Sequence, residues 1–486
     1  MFVVMSLLKS GAGESANRPA PHKIQRLSGG PGATGTAQKA TPPPLAGKIM
    51  RMPHPRTSPK EETTVEAHKL WQFPIKEFHR IPRGLLGPGA YEMVGLEANK
   101  LGFKRCVLAT SGLRGTGIVE DIVGKLKYRN VDVVVYDKIE SNPKDYNVMD
   151  IADMYKREKC DSFVSVGGGS VTDATKGARV VVSHDGRNIN EFDGYNKSTN
   201  PNNPPHIAIN TTAGTGSETS FAYVITDTVS EKAPYKWLGL DENVPVSLSI
   251  NDPVLHFSMP ADLTAFCGFD VLAHASEPYV SRIDFLPSMG SALLGIELVA
   301  QNLRRAVYEP LNYEARTNMM YASYISAQAF NSGGLGIIHS ISHAVSAFYD
   351  SHHGLNNAIG LTRVWEFNMK ANYKRFRDIA KAMGEEVDGL SDVSAAERAV
   401  EAAIRLSKDL NIPDNFTSIG PYTKSRMGTG RYAEVGSTKI SAENVDRDVD
   451  RITKHVLNDA STPGNGRECT YESVAPVVRH TLVGSY

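Results

Sequence analysis

The chain has 486 residues, 41% of them hydrophobic, and its 53 basic and 53 acidic side chains give a formal net charge of zero. That length supports two or three domains with buried cores, no apolar run is long enough to span a bilayer, and nothing in the charge balance favours a nucleic-acid partner. The four cysteines, Cys106, Cys160, Cys267 and Cys469, lack paired spacing, which fits a reducing compartment, the cytosol, better than a disulfide framework.

The balance conceals an uneven distribution. Residues 1–60 hold nine Lys or Arg against a single acid, Glu14, so the remainder carries minus eight. Rich in Pro, Gly, Ser and Ala and without apolar period, residues 1–67 are expected to form a disordered basic tail. The apolar start, "MFVVMSLLK", also admits a targeting peptide or a start codon assigned too far upstream, although it is short for a secretory core. Ordered structure is expected from "HKLWQFPIKEF", residues 68–78.

From Arg105 to Pro253, β-rich runs alternate with helical ones. The strand candidates are "RCVLAT", "VDVVVYD", "SFVSVGGG", "HIAINTTAG" and "SLSINDP". Between them "GIVEDIVGKLKYRN", "YNVMDIADMYKREK" and "SVTDATKGARVVVSH" have helical apolar spacing. Such alternation predicts a doubly wound, Rossmann-like parallel sheet, and residues 68–253 read as an α/β domain. After Pro253 come long Ala- and Leu-rich segments of helical period, including "LTAFCGFDVLAHASEPYVS" and "GSALLGIELVAQNLRRAVYEP". Residues 254–486 are therefore expected to be a helical domain. No repeat of twenty to fifty residues suggests a solenoid.

Two loops carry phosphate-binding chemistry. "SFVSVGGGSVTDATKGA" passes from a strand through Gly167, Gly168 and Gly169 into a helix, where the backbone can approach a ligand and free N–H groups suit a pyrophosphate. Ser170 and Asp173 have the S-x-x-D spacing of a helix start. "TTAGTGSETS", residues 211–220, follows another strand and offers Thr211, Thr212, Thr215 and Ser217. Each alone is equally an ordinary turn; two at the carboxyl edge of one parallel sheet favour a dinucleotide.

Of fourteen histidines, four fall in "GGLGIIHSISHAVSAFYDSHHGLNN", residues 333–357. His339 and His343 are four apart, as are Asp270 and His274, and on helices each pair lies on one face about a turn apart. With His352 and His353 at a break, this pattern favours a metal centre over scattered core histidines. Imidazole and carboxylate without thiolate point to Fe²⁺, Zn²⁺ or Mn²⁺. The ligands do not decide among these, and Cys267 and Glu277, near the same face as Asp270, stand as supporting or merely structural groups. The surplus leaves a histidine for proton transfer.

"GGGSVTDATKGA", "TTAGTGSETS", "FDVLAHASEPYVS" and "GGLGIIHSISHAVSAFYDSHHGLNNAI" resemble, in order and spacing, the motifs of the iron-containing (group III) alcohol dehydrogenases. The resemblance is closer still to the NDMA-dependent methanol dehydrogenases, through "WQFPIKEFHRIPRGLLGPGA", "ESNPKDYNVMD" and "CTYESVAPVVRH", and spans residues 68–486. It implies a dinucleotide-binding domain and a helical metal-binding domain. The metal ligands it implies are Asp270, His274, His339 and His353, with His343 relaying protons beside the nicotinamide. The nucleotide residues it implies are Asn142, Gly168, Gly169, Ser170, Asp173, Thr211, Thr212, Thr215 and Lys236. It further implies tightly held NADP(H), one catalytic divalent metal, zinc or iron, with magnesium as a further ion, and a homo-oligomer such as a decamer.

One position departs from the wider family. Where many NAD-using members place a ribose-binding Asp after the first strand, this chain has Ser111 and Gly112 in "ATSGLRG". Without that carboxylate a 2′-phosphate is not repelled, and Arg114 is available to attract it, so NADP(H) is the expected cofactor. The expected reaction is oxidation of methanol and other small primary alcohols, the reduced cofactor being reoxidised in place by an external acceptor or an aldehyde. A formaldehyde dismutase at the same site, a lyase resembling dehydroquinate synthase and a non-catalytic nucleotide-binding protein are the alternatives. The lyase would need a basic cluster, whereas these metal-binding segments are poor in Lys and Arg.

Overall fold

In the computed structural model, which describes residues 76–419 and 444–484, the alternating first half becomes a parallel sheet wrapped by helices. Its elements are β1 (Gly84–Leu86), α1 (Val94–Lys100), β2 (Arg105–Thr110), α2 (Ile118–Tyr128), β3 (Asp132–Tyr136), α3 (Asp145–Arg157), β4 (Ser162–Gly167) and α4 (Gly169–Ser183). There follow β5 (Gly194–Tyr195), β6 (His206–Asn210), β7 (Ala222–Asp227), β8 (Tyr235–Leu240) and β9 (Leu248–Asn251). The order β1-β9-β6-β4-β2-β3 is parallel at every pairing. Every residue of β4 and β6 is buried, as expected of strands covered on both faces. Successive residues alternate between two cores: Val107 and Phe163 pack on one face, Leu108 and Val164 on the other.

After β3 the chain returns to the opposite side of β2 to form β4. The reversal leaves a crevice at the carboxyl ends of β2 and β4, where an open α/β sheet binds its ligand. A second sheet, β5-β8-β7, with β7 and β8 antiparallel, lies outside the predicted alternation.

The second half is helical: α5 (Ala261–Val280), α6 (Leu286–Tyr308), α7 (Tyr313–Gly333), α8 (Ile337–Tyr349), α9 (His353–Met369), α10 (Tyr373–Ala382), α11 (Asp392–Asp409), α12 (Val445–Asn458) and α13 (Tyr471–Val483). Helix α5 is buried at every position from Thr264 to Val280, the mark of a helix apolar all round and central to its core. It approaches α6 closely because Gly268 carries no Cβ; one there would lie 2.1 Å from Leu303 Cδ1. No helix among the described residues is long and apolar enough to cross a membrane. The expected basic tail, 1–67, its targeting alternative and residues 68–75 of the expected ordered start lie outside the described residues.

Candidate active site

Helix α4 begins at Gly169 with Gly168 as an extended N-cap and no capping side chain. This corrects the helix-start reading of Ser170 and Asp173. Asp173 instead accepts hydrogen bonds from Ser217 Oγ at 2.5 Å and the Val224 N–H at 3.1 Å, so its carboxylate ties α4 to the second loop and β7. The two predicted loops meet directly. A Cβ on Gly168 would stand 2.9 Å from Thr212 Oγ1, and one on Gly169 would stand 2.6 Å from Thr215 Oγ1. Lys176 locks the second loop from behind by donating to the carbonyls of Ser217, Ser220 and Ala222 at 2.5, 2.9 and 2.7 Å; burial pushes its pKa down to about 8.

These loops form one wall of a cavity of about 850 Å³. Ser111, Gly112, Ser170 and Asp173 line it, as do Thr212 and Thr215. Thr211 does not; it is buried, its N–H bonded to the Gly167 carbonyl at 3.0 Å. Asn142, in a left-handed conformation, donates to Asp350 Oδ1 and the Ser351 carbonyl at 3.0 and 3.1 Å and accepts from Lys236 Nζ at 2.8 Å. Burial, reinforced by Lys144, pushes Lys236 down to about 8. Among the described lining residues Lys236 is the one Lys or Arg, far from the basic cluster that the lyase alternative requires. Arg114 is already paired, its Nε 3.0 Å from Asp137 Oδ2, and neither residue lines the cavity.

The opposite wall carries the histidines. Asp270 Oδ1 lies 3.7 Å from His339 Nε2 and 3.7 Å from His353 Nε2, and the three atoms lie within 4.8 Å of one another. Two donors held tetrahedrally at roughly 2.1 Å from one cation stand roughly 3.4 Å apart, so the donor set fits a divalent ion. His274 faces the same carboxylate through Nδ1 at 3.8 Å but does not join the three-atom set. Burial pushes His274 down to about 4 and holds His353 well below its ordinary value, with Lys236 adding to the effect. Both shifts favour the neutral imidazole, the form a metal ligand needs.

The spacing works because α5 projects Asp270 and His274 one turn apart, and because the chain reverses between α8 and α9. Asp350 closes α8 in a left-handed conformation, and α9 opens at His353 with His352 as its N-cap, accepting from the Leu355 N–H at 3.4 Å. That capping role explains the fourth histidine of the motif.

The remaining ring nitrogens are also engaged. His339 Nδ1 bonds the Glu277 carboxylate and His353 Nδ1 bonds Ser342 Oγ at 2.7 Å. His343 Nδ1 lies 2.8 Å from Asp459 Oδ2, its ring stacked on His353 with centroids 5.3 Å apart. Burial lowers the His343 pKa against the opposing pull of Asp459; despite its own burial, Asp459 is held well below the usual carboxylate range by His343. Burial pushes the Cys267 thiol up, keeping it protonated where it packs against Gly214.

Sequence reasoning missed Asp459 and Asn357. Asn357 donates from Nδ2 to Asp270 Oδ1 at 2.6 Å and lies 3.3 Å from both His339 Nε2 and His353 Nε2. Its position four residues after His353 was the available signal.

Comparison with known proteins places the chain in a family. The family model for iron-containing alcohol dehydrogenase matches residues 82–253, and the model for the Fe-containing alcohol dehydrogenase family, C-terminal, matches 264–482. Methanol:N,N-dimethyl-4-nitrosoaniline oxidoreductase of Amycolatopsis methanolica is 61% identical over 420 residues, covering 85% of this chain and 97% of its own. NAD-dependent methanol dehydrogenase of Bacillus methanolicus is 35% identical over 403 residues, covering 82% and 98%. The crystal structure of a 1,3-propanediol oxidoreductase superposes with a TM-score of 0.75 at 34% identity, over 84% of this chain and all of that one. With both halves matched and the facing loops and histidines shared by a single cavity, the chain belongs to the iron-containing alcohol dehydrogenase family.

Proposed function

We propose that this protein is a metal-dependent alcohol dehydrogenase that oxidises methanol and other small primary alcohols with a tightly held nicotinamide dinucleotide. The observation that carries the reading is the convergence of Asp270, His339 and His353 in the cavity whose other wall is the paired glycine and threonine loops. Asp270, His339 and His353, with His274 closing in from α5, would hold the cation, zinc or iron. Gly168, Gly169, Ser170, Thr212 and Thr215 would hold the pyrophosphate, and Asn142 and Lys236 the part of the nucleotide nearest the histidines. When bound, the cation supplies Lewis-acid polarisation of the alcohol oxygen and the nicotinamide supplies the hydride acceptor.

His343, with Nδ1 held by Asp459, has Nε2 as the atom that takes up the alcohol proton. The apolar side chains of Phe266, Phe330 and Leu335 along the same cavity exclude water and limit the alcohol's size. NADP(H) is the finer reading, from Ser111 and Gly112 in place of an acid. One lining carboxylate opposes it, Glu140, which accepts from the Tyr146 hydroxyl at 2.9 Å, and Arg114 is already paired with Asp137. Reoxidation by an external acceptor, assembly as a homo-oligomer and a cytoplasmic setting complete the proposal.

Denaturing the purified protein and assaying released nucleotide and metal together tests this. NADP(H) with near-stoichiometric zinc or iron is expected; NAD(H) alone refutes the NADP reading. Absence of both nucleotide and metal, together with no methanol-dependent reduction of an artificial acceptor after reloading, refutes the whole.

A further inference from the structure

The strongest unassigned group in the molecule is the carboxylate of Glu277. It projects from α5 seven residues after Asp270, two turns along the same face. Its side chain is 3% exposed as a residue and sits wholly inside the helical core. One oxygen, Oε1, accepts the Ile338 N–H at 2.8 Å, in the first turn of α8, where the helix dipole favours negative charge. The other, Oε2, bonds His339 Nδ1. Space for it is built in: a Cβ on Gly336 would come within 3.1 Å of Glu277 Oε1.

We propose that Glu277 is a positioning residue that fixes the tautomer and ring orientation of His339, so that Nε2 turns its lone pair toward the cation. The inference rests on the metal-binding reading above. An ionised carboxylate accepts and does not donate, so the shared proton must come from Nδ1, and Nε2 is left as the acceptor. The partner of His353 carries no charge: it is the Ser342 hydroxyl, which donates to the His353 carbonyl at 2.9 Å and is left to accept at Nδ1. His339 is therefore the one member of the three-atom set whose tautomer is dictated by charge. A carboxylate behind a ligating imidazole also makes it a stronger donor.

Glu277→Gln separates this role from simple helix capping. The amide oxygen can still accept from the Ile338 N–H, but the amide nitrogen then meets His339 Nδ1 as a donor and imposes the opposite tautomer. Full-length parent and variant are stripped of metal, reloaded with Zn²⁺ or Co²⁺ alone, and compared for affinity by chelator competition, for release rate and for the Co²⁺ absorption spectrum. Melting temperature is measured on both. The expected result is a 10- to 100-fold loss of cation affinity and an altered Co²⁺ spectrum, with little change in melting temperature. Affinity within twofold of the parent overturns the proposal. A parent that binds neither ion overturns the metal reading itself, a separate outcome. If the Gln variant does not fold, Glu277→Asp, too short to reach His339 and Ile338 together, gives the same readout: weakened cation affinity supports the proposal and parent affinity overturns it.

Discussion

Replacing Gly169 by Ala tests the contact between the two phosphate loops. The added methyl would stand 2.6 Å from both Oγ1 and Cγ2 of Thr215, about 1 Å inside the roughly 3.5–4.0 Å optimum for carbon atoms. Thr215 cannot rotate freely away, being β-branched, and its hydroxyl accepts the Ser217 N–H at 3.3 Å. The loop behind it is held by the three Lys176 bonds to backbone carbonyls. Overpacking of this kind costs roughly 1–3 kcal/mol, about 5- to 150-fold in affinity if the loops part to relieve it. The assay is nucleotide per chain after extended dialysis, read beside the melting temperature. An Ala variant that retains nucleotide at the parent level with an unchanged melting temperature refutes the argument that this glycine exists for loop-to-loop approach.

A control comes from Gly290, an exposed glycine within α6 whose added Cβ meets nothing within 4 Å. Gly290→Ala is expected to stabilise the protein by about 0.5–1 kcal/mol in denaturant unfolding and to leave nucleotide content unchanged. Glu218, 2% exposed, has its pKa pushed up to about 7 by burial. Between its unfolded value near 4.5 and about 7, the folded state binds more protons than the unfolded one, so stability falls as pH rises through this window and levels off above it. Glu218→Gln should remove that decline, on the order of 2–3 kcal/mol; a parent whose stability does not fall between pH 5 and pH 8 contradicts it. Asp459→Asn should lower the turnover number by roughly 10²-fold while leaving bound metal and nucleotide unchanged, and parent-level turnover would remove Asp459 from the proton path.

The strand and helix pattern from Arg105 to Pro253 was legible because the central strands β4, β6 and β9 are buried along their whole length and helices α2 and α3 each carry a single apolar face. The small sheet of β5, β7 and β8 was not: β5 has two residues, and the antiparallel pair β7–β8 interrupts the alternation that announced the others. Local spacing singled out the pairs Asp270/His274 and His339/His343 and the break at His352–His353, and the family resemblance singled out His353. That Asp270, His339 and His353 are the three whose donor atoms converge follows from the packing of three separate helices, which spacing does not contain. It could not find Asp459, which reaches His343 from 116 residues away. It misread Ser170 and Asp173 because the S-x-x-D pattern is silent about a carboxylate drawn off by a distant loop. His352 stayed unexplained because histidine is not among the side chains that habitually cap helices.

The tight reversal at Asp350–His352 makes chain length there as consequential as residue identity. Asp350 is pinned from the α/β side by Lys144 Nζ at 2.8 Å and Asn142 Nδ2 at 3.0 Å, so slack introduced after it cannot be absorbed upstream. Passed into the following helix, a one-residue insertion would turn its faces by about 100° one way and a deletion by the same angle the other way. His353 and Asn357 would swing together off the face they share, while His339 and His343 stayed where they were. A length variant at this bend would thus take His353 and Asn357 out of the site without altering one of its side chains.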